Sequence, residues 1–201
     1  MRVAIIDYGL GNVRSVYNAV RYVGGEPVVA ENPNDAWGDA LIIPGVGAFR
    51  DGVMNLSRFL PAIERHLNLK RPILGICLGL QMFFERSEEN SKAKGLGIIK
   101  GEVVRIKTPY KLPHIGWNLV KVENKECPLF RGLEEGFAYF VHSYHAVPKE
   151  PVTVATTEYG CKVTAAVWKG NVFGTQFHPE RSGEFGLKIL ENFLKFCYSL
   201  K

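Results

Sequence analysis

A cysteine flanked by two glycines is the residue of this chain best suited to act as a nucleophile. Cys77 stands in the sequence Gly-Ile-Cys-Leu-Gly, directly after an apolar run at 72–74. A sharp turn between a buried strand and a helix can present a nucleophile, and its strained backbone requires small neighbours. Gly75 and Gly79 meet that requirement, and the amino end of the helix favours a thiolate. The alternative is an inert core cysteine, because cysteine often serves as a small buried residue.

A histidine and a glutamate two positions apart supply the base that such a thiol needs. His178 and Glu180 flank Pro179 at the end of a predicted strand. Proline biases the preceding residue to extended geometry and fixes its own φ, so both side chains should project to one side. Glu180 would orient the imidazole, whose other nitrogen would take the proton of Cys77. A capped strand end is the alternative, but the joint occurrence with the cysteine turn favours catalysis.

A glycine loop predicts the donors that an oxyanion would need. The loop Pro-Gly-Val-Gly at 44–47 follows a short strand, at the edge where α/β sheets bind ligands. Thiolate attack on an acyl carbon creates an oxyanion, which backbone N–H groups stabilise. We expect the amides of Leu78 and Val46 to be the two donors. The glycines also permit a peptide flip, so we hypothesise that this hole can be switched; an ordinary strand-to-helix turn is the alternative.

Alternation of short apolar strands and helical stripes predicts an α/β fold. The first strands are predicted over residues 3–7, 40–43 and 73–76, with apolar helical stripes at 13–23 and 53–67 between them. This order specifies a parallel sheet with helices on both faces.

The second half of the chain has a different pattern. Strands are predicted over residues 101–107, 119–122, 137–144, 153–157, 165–169 and 172–177. A last helix follows Ser182, its expected N-cap. We therefore predict a single three-layer domain over residues 1–201, with a mostly parallel sheet and a β-rich second half.

Composition bounds the classes of protein to which the chain can belong. The 201 residues are 46% hydrophobic, which is enough for a full core. The apolar run at the amino end is too short for a signal peptide, and no stretch approaches the roughly 18 residues of a membrane span, so we expect a cytoplasmic protein with no membrane association. The net charge of +5 is scattered, so we expect no nucleic-acid partner.

Neither a metal nor a cofactor is expected from the sequence. The four cysteines have no close pairs, which argues against a zinc site and a disulfide framework. The sequence after Gly9 and Gly11 lacks the third glycine and the distant acidic residue of a dinucleotide-binding fingerprint. His142 and His145 would point to opposite faces of a strand, so they do not form a metal pair.

The cysteine turn, the glycine loop and the Gln-Phe-His-Pro-Glu segment together resemble the class I, or triad, glutamine amidotransferases. Further segments are similar to one branch of that family, the glutaminase subunits of imidazole glycerol phosphate synthases; they are residues 7–12, 94–97, 113–118 and 139–144. The resemblance implies the flavodoxin-like fold of the family. It also implies that Cys77 is the nucleophile, His178 the general base and acid, and Glu180 the orienting carboxylate.

The same resemblance implies a substrate site and a partner. The residues that would bind glutamine are Gly47, Gln81, Glu89, His142, Ser143 and Tyr144. Glu89 would pair with the α-ammonium group, with Glu88 as an adjacent rival. Asn12 and Trp117 would lie at the interface with a cyclase subunit that resembles a (β/α)8 barrel, in a heterodimer.

The reaction implied is hydrolysis of glutamine through a γ-glutamyl thioester on Cys77. The ammonia would pass to the cyclase, which forms imidazole glycerol phosphate and an aminoimidazole carboxamide ribotide in histidine biosynthesis. Two alternatives remain open: the amidotransferase subunit of an anthranilate, guanylate or purine-precursor synthase, and a non-catalytic module of the same fold.

Overall fold

The computed structural model describes residues 1–89 and 93–200. The strands in these ranges are β1 (Arg2–Ile6), β2 (Glu26–Ala30), β3 (Ala40–Ile43), β4 (Ile73–Ile76), β5 (Arg86–Ser87), β6 (Gly101–Arg105), β7 (His114–Val122), β8 (Glu135–His142), β9 (Tyr144–Pro148), β10 (Thr153–Glu158), β11 (Lys162–Lys169) and β12 (Val172–Thr175). The α-helices are α1 (Val13–Tyr22), α2 (Phe49–Leu56), α3 (Leu60–Asn68), α4 (Leu78–Gln81) and α5 (Gly183–Ser199). Short 3-10 turns are formed by Ser57–Phe59, Pro128–Phe130 and Pro179–Arg181.

A nine-stranded sheet organises the molecule. Its order is β2-β1-β3-β4-β12-β11-β10-β7-β8. The five strands from β2 to β12 run parallel, and the remaining four continue the sheet in antiparallel pairs. A second sheet, β5-β6-β9, packs beside it. The predicted α/β class, parallel sheet and β-rich second half are confirmed.

Two apolar cores cover the two faces of the large sheet. Successive residues of a strand point to opposite faces, so Val3 and Ile5 belong to one core, and Ala4 and Ile6 to the other. Helices α1 and α5 pack on the first core, and α2, α3 and α4 on the second. The structure therefore has the three layers that the sequence predicts.

Strand β2 was not predicted from the sequence. It forms the parallel edge of the sheet and is only partly buried, with Glu26 at its start and Pro27 within it. Proline and a charged residue are typical of edge strands, and they hide the apolar pattern on which the prediction depends.

The helices also differ from their predicted bounds. The stripe at 53–67 is two helices, because a 3-10 turn separates α2 from α3 and Pro61 lies in the first turn of α3. Ser182 stands at the N-cap position of α5, but its hydroxyl does not cap the helix. It donates to the carbonyl of His178 at 2.6 Å and accepts from the amide of Tyr139 at 3.0 Å. The predicted N-cap position is therefore confirmed, but the hydroxyl of Ser182 ties the His178 segment to β8 instead of capping the helix.

The predicted strand at 137–144 splits at Ser143. Strand β8 lies in the large sheet and β9 in the small one. The backbone of Ser143 therefore passes between the sheets, beside the loops that follow the parallel strands. No helix within the described ranges is long and apolar enough to cross a bilayer.

Candidate active site

Cys77 occupies a strained turn between β4 and α4. Its φ is +55° and its ψ is −106°, which is unusual for a residue with a side chain. A Cβ atom on Gly79 would collide with the carbonyl of Ile43, and one on Gly75 would lie 2.7 Å from the carbonyl carbon of Gly79. The prediction that glycines make room for this turn is confirmed.

His178 and Glu180 form a buried pair at the end of β12. The Nδ1 atom of His178 lies 2.9 Å from Oε1 of Glu180, and the two side chains are 4% and 1% exposed. Strand β12 is the parallel neighbour of β4, with Thr175 opposite Ile76, so both strands end at the same edge of the sheet. This register brings His178 to the Cys77 turn. The Nε2 atom of its ring is buried there and has no hydrogen-bond partner among the described residues.

The charges around His178 favour its protonated form. Burial lowers the pKa of the ring, but a negative charge on Cys77 and the carboxylate of Glu180, which hydrogen-bonds the ring, more than offset that effect. The net result raises the pKa of His178 well above its ordinary value of about 6.5. The imidazolium is therefore the favoured form of His178, and it holds a proton for a leaving group.

The two predicted oxyanion donors, the amides of Leu78 and Val46, lie close together, but the Gly45–Val46 peptide is oriented so that they cannot both bind an oxyanion. The amide of Leu78 donates to the carbonyl of Gly45 at 3.3 Å. Because C=O and N–H point in opposite directions in a trans peptide, the amide of Val46 is directed away from Leu78. In this structure the loop carbonyl occupies the first donor, and the second donor does not face the site.

Tight packing on one side of the loop restricts what can stand at position 45. The hydroxyl of Tyr8 donates to the carbonyl of Pro44 at 2.7 Å. A Cβ atom on Gly45 would collide with that hydroxyl and lie 2.9 Å from Cβ of Leu78. Gly47, with a φ of +110°, gives the loop its other unrestricted hinge.

Glu89 lies at the glycine loop, and Glu88 does not. The Oε2 atom of Glu89 accepts from the amide of Phe49 at 2.7 Å, two residues after the loop and at the start of α2. Glu88 instead accepts from the amide of Arg105 at 3.0 Å. Of the two carboxylates, the position of Glu89 is the one compatible with a ligand between the loop and Cys77.

Beside Cys77, Gln81 contacts both Tyr144 and Gln176, and Gln176 is a residue to which the sequence assigned no role. The side-chain nitrogen of Gln81 donates to the carbonyl of Tyr144 and to Oε1 of Gln176, each at 3.0 Å. Gln176 lies 3.6 Å from the Cys77 sulfur through Nε2. Its spacing of two from His178 was the available signal, because such residues share one side of an extended chain.

The side chain of His142 is turned into the protein. Its Nδ1 atom lies 2.8 Å from the carbonyl of Tyr144, and its Nε2 lies 3.2 Å from Nδ1 of His114. Nε2 of His114 in turn lies 3.3 Å from the amide nitrogen of Asn118. Within the segment 142–144, the imidazole is therefore engaged internally, whereas the backbone of Ser143 runs between the sheets.

Burial of His142 predicts a loss of stability in acid. Burial lowers its pKa to about 3, whereas an unfolded histidine has a pKa near 6.5. Stability from the neutral ring is thus fully present above pH 6.5 and is lost as pH falls towards 3, by about 2 kcal/mol between pH 7 and 5. Urea unfolding at both values, on the wild type and His142→Gln, measures it. Equal slopes in the two proteins would contradict the assignment.

Exposed apolar side chains form a continuous face on β7 and β8. Ile115, Trp117 and Phe137 are between 57% and 61% exposed. Trp117 is paired with Tyr139 across the strands, and Ile115 with Val141. We call these five residues the β7–β8 face.

The β7–β8 face lies near the end of the sheet that carries the catalytic pair. The guanidinium of Arg181, next to Glu180, stacks over the ring of Tyr139. Asn12 is exposed on the loop after β1, where its side chain caps α1 by accepting from the amide of Ser15 at 3.3 Å. Helix α1 contacts the Pro179–Arg181 turn.

Among the described residues, no group of three His, Cys, Asp or Glu side chains is placed to hold a metal ion. The site thus consists of a thiol, an imidazole and a carboxylate beside a glycine loop. A family model described as glutamine amidotransferase class-I matches residues 4–196. The chain belongs to this family.

Two relatives indicate which branch of the family the chain most resembles. The chain is 47% identical over 195 residues to imidazole glycerol phosphate synthase subunit HisH of Methanocaldococcus jannaschii, covering 96% of this chain and 98% of that protein. It is 46% identical to the subunit of the same name from Bacillus cereus strain B4264, covering 95% and 93%.

Solved structures support the fold. PurLQS from Thermotoga maritima superposes with a TM-score of 0.79 at 23% identity, over 100% of this chain and 99% of that one. A structure described as glutamine amidotransferase superposes with a TM-score of 0.77 at 18% identity, over 98% of each chain. The predicted fold of the family is confirmed.

Proposed function

We propose that this chain is the glutaminase subunit of an imidazole glycerol phosphate synthase. The observation that carries the proposal is the buried His178–Glu180 pair at the edge of the sheet that also carries the Cys77 turn, in a chain 46% to 47% identical to HisH subunits. The chain hydrolyses glutamine to glutamate and ammonia, and a cyclase subunit uses the ammonia to form imidazole glycerol phosphate and an aminoimidazole carboxamide ribotide.

Catalysis follows from the three side chains. The thiolate of Cys77 attacks the side-chain amide carbon of glutamine, and the carbonyl oxygen becomes an oxyanion. His178 donates a proton to the departing ammonia, and the γ-glutamyl thioester forms. His178 then takes a proton from water as it attacks the thioester, and the thiolate leaves. Glu180 keeps the imidazole oriented and stabilises its charge in both steps.

The substrate's α-amino acid group is held by residues around the glycine loop. Glu89 pairs with the α-ammonium, and the free Oε1 atom of Gln81 is a second acceptor for it. Gly47 and the backbone of 142–144 supply hydrogen bonds to the remaining polar groups. Two contacts support this arrangement: Glu89 accepts from the amide of Phe49, two residues after the loop, and Gln81 donates to the carbonyl of Tyr144.

We expect the isolated chain to have low glutaminase activity, because the carbonyl of Gly45 occupies the amide of Leu78. Flipping the Gly45–Val46 peptide frees one donor and aims another at the oxyanion. One such donor contributes a factor of about 10² to 10³ in kcat, so the cyclase should raise kcat at least that much. Glutamate release with and without the cyclase measures the effect. A high isolated rate, or an active complex with the loop unchanged, would contradict the proposal.

The β7–β8 face is where we expect the cyclase to dock. The proposed partner is a (β/α)8 barrel in a heterodimer, with Trp117 as the central anchor and Asn12 at the margin. An exposed tryptophan within an apolar patch is typical of a binding hot spot.

Trp117→Ala should therefore weaken docking by about 30-fold or more, the effect of losing roughly 2 kcal/mol at a hot spot. The matched control is Tyr22→Ala, an exposed aromatic at the far end of α1. Titration calorimetry against the cyclase measures both. Equal affinities for the two variants would place the interface elsewhere.

A shared fold does not by itself choose the acceptor, so a direct product assay is required. The chain should support formation of imidazole glycerol phosphate from glutamine when mixed with the cyclase. Failure with that cyclase, together with activity alongside an anthranilate or guanylate synthase subunit, would favour the other synthases.

The four cysteines carry free thiols, which supports a reducing compartment such as the cytoplasm.

A further inference from the structure

Gln176 is a buried polar residue in contact with the nucleophile, and the triad does not use it. The residue is 0% exposed. Its Nε2 atom lies 3.6 Å from the sulfur of Cys77, within hydrogen-bonding distance for sulfur. A buried amide must find partners for its donors and its acceptor. The contact with sulfur is therefore part of how this side chain is satisfied.

The surrounding contacts determine which atom of the amide faces the sulfur. The carbonyl of Tyr144 can only accept, so the atom of Gln81 beside it must be the nitrogen. That nitrogen also donates to Gln176, which must therefore present its oxygen to Gln81. The remaining atom of the Gln176 amide is the nitrogen, and it faces Cys77. The hydrogen-bond network therefore determines which atom of each side-chain amide is the nitrogen and which is the oxygen.

The other side of the network reinforces the same direction. Nδ1 of His142 must carry the proton that reaches the carbonyl of Tyr144, since that carbonyl only accepts. Its Nε2 then accepts from His114. The carbonyl of Tyr144 thus receives two hydrogen bonds, from His142 and Gln81. If the Gln81 amide were flipped, its oxygen would face this carbonyl oxygen and both hydrogen bonds of its nitrogen would be lost.

We propose that Gln176 is a positioning residue that donates a hydrogen bond to the Cys77 thiolate, with its orientation enforced by Gln81 and the carbonyl of Tyr144. Only its effect on turnover rests on the proposed glutaminase function. A donor aimed at sulfur stabilises the thiolate over the neutral thiol. The same hydrogen bond stabilises the thiolate when it leaves the acyl group, so the sulfur has the same position in the attack on glutamine and in the breakdown of the thioester.

The test is the pH dependence of Cys77 alkylation by iodoacetamide, followed by the mass of the tryptic peptide 71–86. This peptide contains a single cysteine, Cys77. Gln176→Met keeps the length of the side chain and removes the donor. A hydrogen bond to a charged group is worth about one pH unit or more, so the midpoint of alkylation should move up by that amount. Thr175→Val, a buried neighbour on the same strand, is the matched control and should leave the midpoint unchanged.

A second variant tests the orientation with Gln176 in place. Gln81→Met removes the donor that holds the Gln176 oxygen and adds no charge near Cys77. The Gln176 amide then loses its enforced orientation, so the midpoint should move upward, by less than in Gln176→Met. An unchanged midpoint in Gln176→Met would overturn the proposal, and an unchanged midpoint in Gln81→Met alone would overturn the role given to Gln81. Alkylation needs neither glutamine nor turnover, so this result is independent of whether the chain is a glutaminase.

Discussion

Replacing Cys77 with serine should reduce glutaminase turnover in the presence of the cyclase by at least about four orders of magnitude. The backbone at +55° and the two flanking glycines fix the position of the nucleophile, so no neighbouring group can substitute for it. A serine hydroxyl ionises far less readily than a thiol, so it is a much weaker nucleophile beside the same imidazole. Glutamate release in a coupled assay measures the loss.

The matched control for this experiment is Cys161→Ser. Cys161 is a free, partly exposed cysteine in the turn between β10 and β11, away from the nucleophile. It should retain the turnover of the wild type. Substantial turnover by Cys77→Ser would mean that hydrolysis does not pass through a thioester on this residue.

His178→Ala and Glu180→Gln should differ in how much activity remains. Removal of the imidazole eliminates the proton acceptor and donor, and we expect a loss of about 10⁵ to 10⁶ in kcat, as for the base of a protease triad. Glu180→Gln leaves the imidazole but loses its charge partner at 2.9 Å. Loss of the orienting carboxylate of a triad costs about 10⁴, so Glu180→Gln should retain about 10 to 100 times the activity of His178→Ala.

The pH dependence separates the two roles further. Glu180 is one of the groups that raise the pKa of His178. Without that carboxylate the imidazolium is less stable, so the pH at which His178 loses its proton should move down in Glu180→Gln. Because the pKa of His178 in the wild type is raised to about 10, steady-state rates from pH 7 to 11 on the complex with the cyclase measure this. Equal turnover in the wild type and both variants would reject the assigned roles.

The turn at Cys77 and the His178–Glu180 pair were predictable because each depends on local sequence. Glycines around Cys77 predict the turn, and a proline between His178 and Glu180 predicts that they share one side of the chain. The parallel register of β4 and β12 then brings the two segments together. This pairing joins residues 73–76 to residues 172–175, and no local sequence pattern predicts it.

The features that the sequence did not reveal depend on contacts between distant segments. The edge strand β2 was not predicted because Pro27 and partial burial obscure its pattern. The orientation of the Gly45 carbonyl is set by one hydrogen bond to Leu78, and glycine permits either orientation. Gln176 acquires its role only when Gln81 and Tyr144, from two other elements, orient its amide.

Ser182 illustrates the same limit on a familiar signal. A serine before a helical pattern predicts an N-cap, and the helix does begin directly after it. The hydroxyl is instead used by the His178 carbonyl and the Tyr139 amide. A tertiary requirement next to the catalytic pair has overridden the local preference.

The central claim is that Cys77 attacks the side-chain amide carbon of glutamine. The most direct test incubates the chain and its cyclase with a reactive glutamine analogue and measures the masses of the tryptic peptides. The account predicts an adduct on peptide 71–86, absent from Cys77→Ser and blocked by excess glutamine. An unmodified peptide 71–86 in the active complex, or an equal adduct on the other cysteines, would contradict it.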